Sequence, residues 1–155
     1  MWLPVVTGRY AITTGDRAIL NEQVHLIGGR LINAGEESFY DLPNESGERA
    51  SLYEHCKISI EHALLKFGVH GLPLIGSGDW NDGLDRVGSH GKGESVWLAF
   101  FLYDVLKNFA AVARLKNDET FFIKCNQQAE LFQRNFENNA WYGEWYPRPY
   151  FEDGT

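Results

Sequence analysis

The chain has 155 residues, 44% of them hydrophobic and 14% aromatic, and its 14 basic and 21 acidic residues give a formal net charge of −7. That length is one domain's worth and buries a core without disulfide staples. The acidic balance and the lack of a basic run exclude a nucleic-acid binder, whose phosphate contacts need clustered cations. The longest uninterrupted apolar run, residues 96–103, is far short of the roughly 20 residues that span a bilayer, so no direct membrane contact is expected. Residues 1–6 lack a charged leader, and Cys56 and Cys125 form no CxxC pair, so the chain reads as cytoplasmic, or as part of a larger protein, with two buried thiols.

Helical periodicity dominates and strand signals are nearly absent, so an all-α class is expected. Residues 9–14 read as the end of a first helix, Gly15 as its left-handed C-cap and Asp16 as the N-cap of a second helix running to about Leu26. Residues 28–49, with Phe39 and Tyr40 in the middle, read as a long loop. Between residues 50 and 67, Leu52, Tyr53, Cys56, Ile60, Ala63, Leu64 and Phe67 recur every three or four positions, as on one face of an amphipathic helix. Residues 68–93 hold eight glycines and read as a second long loop, of a length that is usually functional.

From residue 94 to 116 a broad apolar stripe runs from Val96 to Leu115, as in a helix buried on more than one side. The next helix carries Phe122, Cys125, Ala129, Phe132 and Phe136, with Asn117 or Asp118 as its cap. Asn117 stands where Gly15 stands in the first junction, so the expected architecture is stacked antiparallel αα-hairpins. Residues 141–155, with six aromatic side chains, form a third loop-like segment. All three long segments are expected at one end of the helices.

The densest chemistry lies at Gly76-Ser77-Gly78-Asp79-Trp80-Asn81-Asp82-Gly83. Carboxylates and amides hydrogen-bond sugar hydroxyls, and an indole face covers the apolar side of a pyranose. A carboxyl group dried by such a ring keeps its proton longer and suits protonation of a leaving oxygen. A plain surface turn shares this composition. As a calcium loop, Asp79, Asn81, Gly83 and Asp85 are out of register, with Gly at the fifth position and His90 at the twelfth. Gly91-Lys92-Gly93 lacks the hydroxyl residue of a phosphate-binding loop.

His55 and His62 lie seven residues apart on one helix, too far apart to ligate one ion without a third partner, so no metal is expected. His62 reads as a core residue. His55 is the better sugar-contact candidate, because it sits beside Glu54 on the helix leading to the glycine-rich loop. His25, His70 and His90 carry no signal. In the closing segment Glu144, Trp145 and Arg148 are candidate sugar contacts, with aromatic sealing of the helix stack as the alternative.

Read together, Ser51-Leu52-Tyr53-Glu54-His55, Gly71-Leu72-Pro73-Leu74-Ile75-Gly76, Gly78-Asp79-Trp80-Asn81-Asp82-Gly83 and Gly91-Lys92-Gly93-Glu94-Ser95-Val96-Trp97-Leu98 resemble glycoside hydrolase family 94. That family holds cellobiose, chitobiose and 1,2-β-oligoglucan phosphorylases and the phosphorylase-like domain of cyclic β-1,2-glucan synthases. The resemblance covers nearly the whole chain. Leu42-Pro43-Asn44-Glu45-Ser46 and Tyr150-Phe151-Glu152-Asp153-Gly154-Thr155 are most similar to the synthase branch.

The resemblance implies an (α/α)6 toroid with the sugar site in the loops at one end, and residues 1–155 as a partial catalytic domain truncated at both ends. It implies Asp82 as general acid, Trp80 in the donor subsite, and Asp79 and Asn81 orienting the loop, with Asp79 the fallback acid. The implied reaction is inverting phosphorolysis of a β-glucosidic bond to α-glucose 1-phosphate. It needs no metal or organic cofactor, only inorganic phosphate as co-substrate. The implied partners are a β-glucan oligosaccharide and the remainder of the toroid, and a parent synthase would place the chain in an inner-membrane protein.

Two departures stand out. Trp141-Tyr142-Gly143 replaces the family's Trp-Asp-Gly, and Pro147 and Pro149 flank Arg148 where such prolines are not expected. The family's donor-site Arg and Asp precede the segment that matches Trp2-Leu3-Pro4, and its phosphate-binding His and Thr follow Thr155, so the isolated chain is expected to be inactive. The alternatives are a non-catalytic carbohydrate-binding or scaffold module and a hydrolase on the same toroid.

Overall fold

Ser51, Ser95 and Asp118 each start a helix in the same way, a side-chain oxygen accepting the backbone N–H three residues on, at 3.2, 3.1 and 3.0 Å. Each cap satisfies a donor that the first helical turn leaves without a partner. The computed structural model describes residues 1–31, 33, 36, 41–76, 84, 86–151, 153 and 154. Its elements are α1 (Trp2–Thr14), a 3₁₀ turn (Ala18–Asn21), β1 (Gln23–Gly28), β2 (Asn44–Ser51), α2 (Leu52–Ala63), β3 (Glu94–Ser95), α3 (Val96–Leu115), α4 (Glu119–Asn139) and β4 (Pro149–Tyr150).

The two expected junctions form. Gly15 ends α1 with φ 74° and its N–H returns to Ala11 O, and Asn117 takes φ 57° between α3 and α4. The helix expected from Asp16 to about Leu26 does not form. Asp16 Oδ1 does accept the N–H groups of Ala18 and Ile19, but the turn stops at Asn21, because Glu22 is extended with ψ 129°. Residues 23–28 then run as a strand, antiparallel to β2, with Gln23 opposite Ser51 and a register shift between His25 and Ile27.

The all-α expectation is corrected accordingly: the chain is helix-rich with two small two-stranded antiparallel sheets, β1-β2 and β3-β4. The polar sequence of β2 carries no strand signal. Its pairing is reinforced across the two strands, His25 Nδ1 lying 3.0 Å from Ser46 O and Arg49 Nε donating to His25 Nε2, and just beyond them by Leu52 N donating to Glu22 O.

The helices pack as two antiparallel pairs, α1 with α2 and α3 with α4, and α1 also lies on α3. Gly8 permits that approach, since a Cβ there would meet Val112 Cγ2 at 3.3 Å. The core runs along α3 through Leu102, Val105, Leu106, Phe109 and Val112, against Tyr53, Cys56 and Ile60 of α2 and Phe121, Cys125, Ala129 and Phe132 of α4. Full burial of each large side chain contributes roughly 1.5–3 kcal/mol. By length and composition α3 could cross a bilayer, but half of that stretch is buried inside the protein.

Both cysteines are free and buried, as expected, and burial pushes their thiols up, Cys56 to about 11 and Cys125 to about 12. A polar cluster ties the ends of three helices together. Asp118 accepts from Lys57 Nζ at 2.9 Å and from Tyr53 Oη at 3.0 Å, and Lys116 Nζ bonds Asn21 Oδ1.

This cluster marks one end of the molecule, where α1 and α3 finish and α2 and α4 begin. The β1-β2 hairpin lies at that end, because it joins the C-terminus of α1 to the N-terminus of α2. The described residues at the base of the 68–95 segment and those of the closing segment lie at the other. The bases of the three long segments therefore do not share one end, since antiparallel connections must alternate between ends.

Candidate functional site

The two described ends of the glycine-rich segment are bonded together in a narrow neck. Gly68 N donates to Leu72 O, Leu74 N to Lys66 O, Ile75 N to Gly93 O at 2.9 Å, and Ser95 N to Pro73 O at 2.8 Å. Residues 73–76 and 93–95 are thereby stitched into a short ladder. Glycine is needed where backbones close on one another. A Cβ at Gly88 would lie 2.7 Å from Gly76 N and O, and one at Gly93 would lie 2.2 Å from Val87 O. Asp79, Trp80, Asn81 and Asp82, the calls of greatest chemical interest, lie outside the described residues.

Glu94 anchors the neck. Its side chain is 1% exposed, and its carboxylate accepts from His70 N at 3.1 Å and Leu72 N at 2.9 Å, with His70 Nδ1 at 2.8 Å. A buried carboxylate is tolerated when donors surround it this way. His70 in turn stacks on Tyr150 with ring centroids 4.1 Å apart. Asn139 Nδ2 donates to His70 O and Asn135 Nδ2 to Gly71 O, both at 2.8 Å, so the end of α4 holds the same turn. His70 carried no signal in the sequence and Glu94 stood there only within a segment of the family resemblance, because their pairing spans 24 positions and rests on one turn of backbone.

The closing segment joins this neck. β4 pairs with β3, Glu94 opposite Tyr150, and Val96 N donates to Arg148 O at 2.9 Å. Burial, then the neighbouring Tyr142, raises the Tyr150 phenol above its ordinary range, and its hydroxyl bonds Asn139 O. A cleft of about 600 Å³ opens between Phe67, Gly68, Val69, Lys92 and Glu94 on one side and Phe151, Asp153 and Gly154 on the other. It combines an exposed aromatic ring at Phe151 with acidic and basic side chains, a lining suited to a polyhydroxylated ligand.

Glu144 and Trp145 lie in an exposed turn closed by Tyr142 N donating to Trp145 O, with Gly143 at φ 90°. The Trp145 ring is 58% exposed, while Trp141 packs on Tyr146 and Tyr146 on Phe100. The rings of this segment are thus divided between sealing α3 and α4 and facing solvent. Arg148 is exposed and enters the neck through its backbone carbonyl. His55 is half-buried near the start of α2, its Nε2 3.1 Å from Val24 O in β1. It lies with the hairpin end, about 12 Å of helical rise before α2 ends at Ala63. The structure brings Glu144, Trp145 and Arg148 to the neck end and leaves His55 at the opposite end.

Residues 24–155 match the glycosyl hydrolase 94 superfamily, catalytic domain. The whole chain is 36% identical to a cyclic β-(1,2)-glucan synthase of Rhizobium meliloti, covering 6% of that protein. It is 30% identical over 99% of its length to a solabiose phosphorylase of Paenibacillus borealis, covering 18% of it. It is 26% identical over all of its length to a cellobionic acid phosphorylase of Neurospora crassa, covering 17% of it. The chain thus spans less than a fifth of each of these relatives. With most of its length matched to that catalytic domain, the chain belongs to the glycosyl hydrolase 94 superfamily.

Proposed function

We propose that this chain carries the acid-bearing part of an inverting glycoside phosphorylase site, acting on β-glucosidic bonds of a β-1,2-glucan or a related β-glucan. The observation that carries the reading is the Gly78-Asp79-Trp80-Asn81-Asp82-Gly83 segment in a chain matched to this catalytic domain. An inverting hydrolase needs a second carboxylate about 6.5–9.5 Å from the acid to activate water. Phosphate arrives as an anion, so one acid suffices.

In this reading Asp82 gives its proton to the glycosidic oxygen while a phosphate oxygen attacks the anomeric carbon from the opposite face. The C–O bond to the leaving sugar breaks and α-glucose 1-phosphate forms. Trp80 covers the apolar face of the donor sugar, Asp79 and Asn81 orient the loop, and Glu144, Trp145 and Arg148 lie at the cleft end to contact the oligosaccharide. His55 acts on the sugar only through the fold. The remaining helices of an (α/α)6 toroid supply the phosphate site, so we further propose that the chain alone does not turn over.

The experiment grafts the chain in place of the matching segment of the 30%-identical phosphorylase and assays glucose 1-phosphate release from β-1,2-gluco-oligosaccharides and phosphate. Activity that Asp82→Asn lowers by about 10²–10⁴ is the expected result. Glucose release without phosphate would indicate a hydrolase. Binding without turnover would indicate a carbohydrate-binding module.

A further inference from the structure

Glu94 meets three segments of the chain at once. Its backbone stands opposite Tyr150 in the β3-β4 pair, its carboxylate accepts from His70 N and Leu72 N in the turn after α2, and the neck it belongs to closes the stretch between residues 76 and 93. The His70 ring completes a triangle, with Nδ1 2.8 Å from Glu94 Oε1 and its face stacked on Tyr150. The other two corners are fixed to α4, since Asn135 and Asn139 donate to Gly71 O and His70 O, and Tyr150 Oη donates to Asn139 O. Both the neck and the closing segment are thereby seated on one helix end.

Stability alone does not call for a buried carboxylate, since an apolar side chain of similar volume often serves as well. A carboxylate adds direction. Two amides and a ring nitrogen fix its plane, and that plane fixes the neck on the turn.

We propose that Glu94 is a positioning residue for the phosphorolysis, holding the acid-bearing stretch in register with the sugar contacts of the closing segment. This role rests on Asp82 being the acid. Asp82 belongs to the stretch that the neck closes, whereas Glu144, Trp145 and Arg148 belong to the segment that ends at Tyr150. A shift of the neck against β4 therefore separates the proton from the oxygen it must reach. Misplacement by about 1 Å lowers turnover by about 10²-fold.

The test has two arms. In the full chain, amide hydrogen exchange is followed in Glu94→Gln and in Asp118→Asn, a substitution at the opposite end of the helices. The neck amides of Ile75 and Ser95, and the amides of Val96 and Tyr142 that bond within the closing segment or to it, are expected to exchange about tenfold faster in Glu94→Gln. In Asp118→Asn they are expected to stay as in the parent.

In the second arm, the chain grafted into the 30%-identical phosphorylase is assayed with phosphate on two donors. A β-1,2-gluco-oligosaccharide leaves through an oxygen that needs a proton. In β-glucosyl fluoride the C–F bond breaks with its electron pair on fluoride, which needs none. Asp82→Asn is expected to lower the first rate and spare the second, which tests the acid by itself. Glu94→Gln is expected to lose about 10²-fold on the oligosaccharide and less than about threefold on the fluoride. Weakened contact with the donor sugar at Trp80 acts on both donors alike and cancels in their ratio.

Asp82→Asn that lowers both rates or neither overturns the acid assignment and this role with it. With Asp82→Asn selective, equal losses on both donors in Glu94→Gln, or no loss, would overturn the positioning role alone, because a protein that is merely less stable loses both rates together. Where the graft turns over neither donor, the exchange arm decides. Quickening confined to Ile75 and Ser95, with Val96 and Tyr142 unchanged, overturns the role.

Discussion

The Glu94 carboxylate occupies the space that any side chain at position 68 would need: a Cβ at Gly68 would fall 2.2 Å from Glu94 Cδ and 2.5 Å from its Oε1. Gly68 is therefore required by a neighbour 26 positions away, not by its own backbone angles. Gly68→Ala must drive Glu94 off at least one of its amide donors, at a cost of about 1–3 kcal/mol. Urea unfolding of Gly68→Ala, Glu94→Ala and the double variant forms a cycle that isolates the clash. In the Glu94→Ala background the second substitution is expected to cost much less, and strictly additive losses would show that the two do not share the space.

Glu94→Gln keeps the shape of the side chain and changes only its hydrogen-bonding capacity. Two amides and a ring nitrogen converge on the carboxylate, and a primary amide accepts through one atom only, so one buried N–H is left facing a donor. The expected loss is again about 1–3 kcal/mol. Amide hydrogen exchange should quicken in residues 68–76 and 93–95 while the centre of α3 stays protected. Exchange that quickens evenly through all helices would mean that Glu94 supports global stability and has no local hold on the neck.

Asp118 combines a helix cap with an ion pair, and two substitutions separate them. Asn caps as well as Asp, so Asp118→Asn keeps the cap and removes the oxygen that accepts from Lys57 Nζ and Tyr53 Oη; the ion pair is worth about 1 kcal/mol at this partly exposed site. Asp118→Ala also removes the cap, for about 1 kcal/mol more. The Lys57 hydrogen bond comes first in holding the Asp118 carboxyl below its ordinary 3.8. A depressed carboxyl contributes stability above its ordinary value that is lost as pH falls through the depressed one.

Burial opposes the charge on Lys57, but Asp118 and Glu54 outweigh it and carry that amine above its ordinary 10.5, so its contribution is lost only as pH rises through the raised value. Stability curves against pH should show the acid limb flattened in Asp118→Asn. An unchanged acid limb would assign the acid loss to other carboxylates.

The helix junctions make a further pair of tests. Gly15 has φ 74° with open space around it, and Asn117 has φ 57°. Gly15→Ala should cost about 1–2 kcal/mol from left-handed backbone strain alone. Asn117→Gly relieves that strain and should stay within a few tenths of a kcal/mol of the parent or exceed it. Thermal or urea midpoints decide both.

Much of the helical body was legible in the sequence because its causes are local. Apolar spacing marked α2, α3 and α4 to within a few residues, and Gly15, Asn117 and Asp118 marked the junctions through backbone and capping chemistry carried by the residues themselves. The family, too, was legible from short contiguous motifs. β1 was misread as helix because Val24, Leu26 and Ile27 fit either period over so short a run, and the extended backbone of Glu22 is settled by Leu52 donating to its carbonyl.

By itself, then, the sequence determined most of the helices, their capped junctions and the residue types of the glycine-rich segment. Only the tertiary structure decided that Glu94 and His70 hold the base of that segment and that His55 sits with the hairpin at the far end. Each of these rests on contacts between residues far apart in the chain, and such contacts follow from how the helices pack and leave no periodic trace in the sequence.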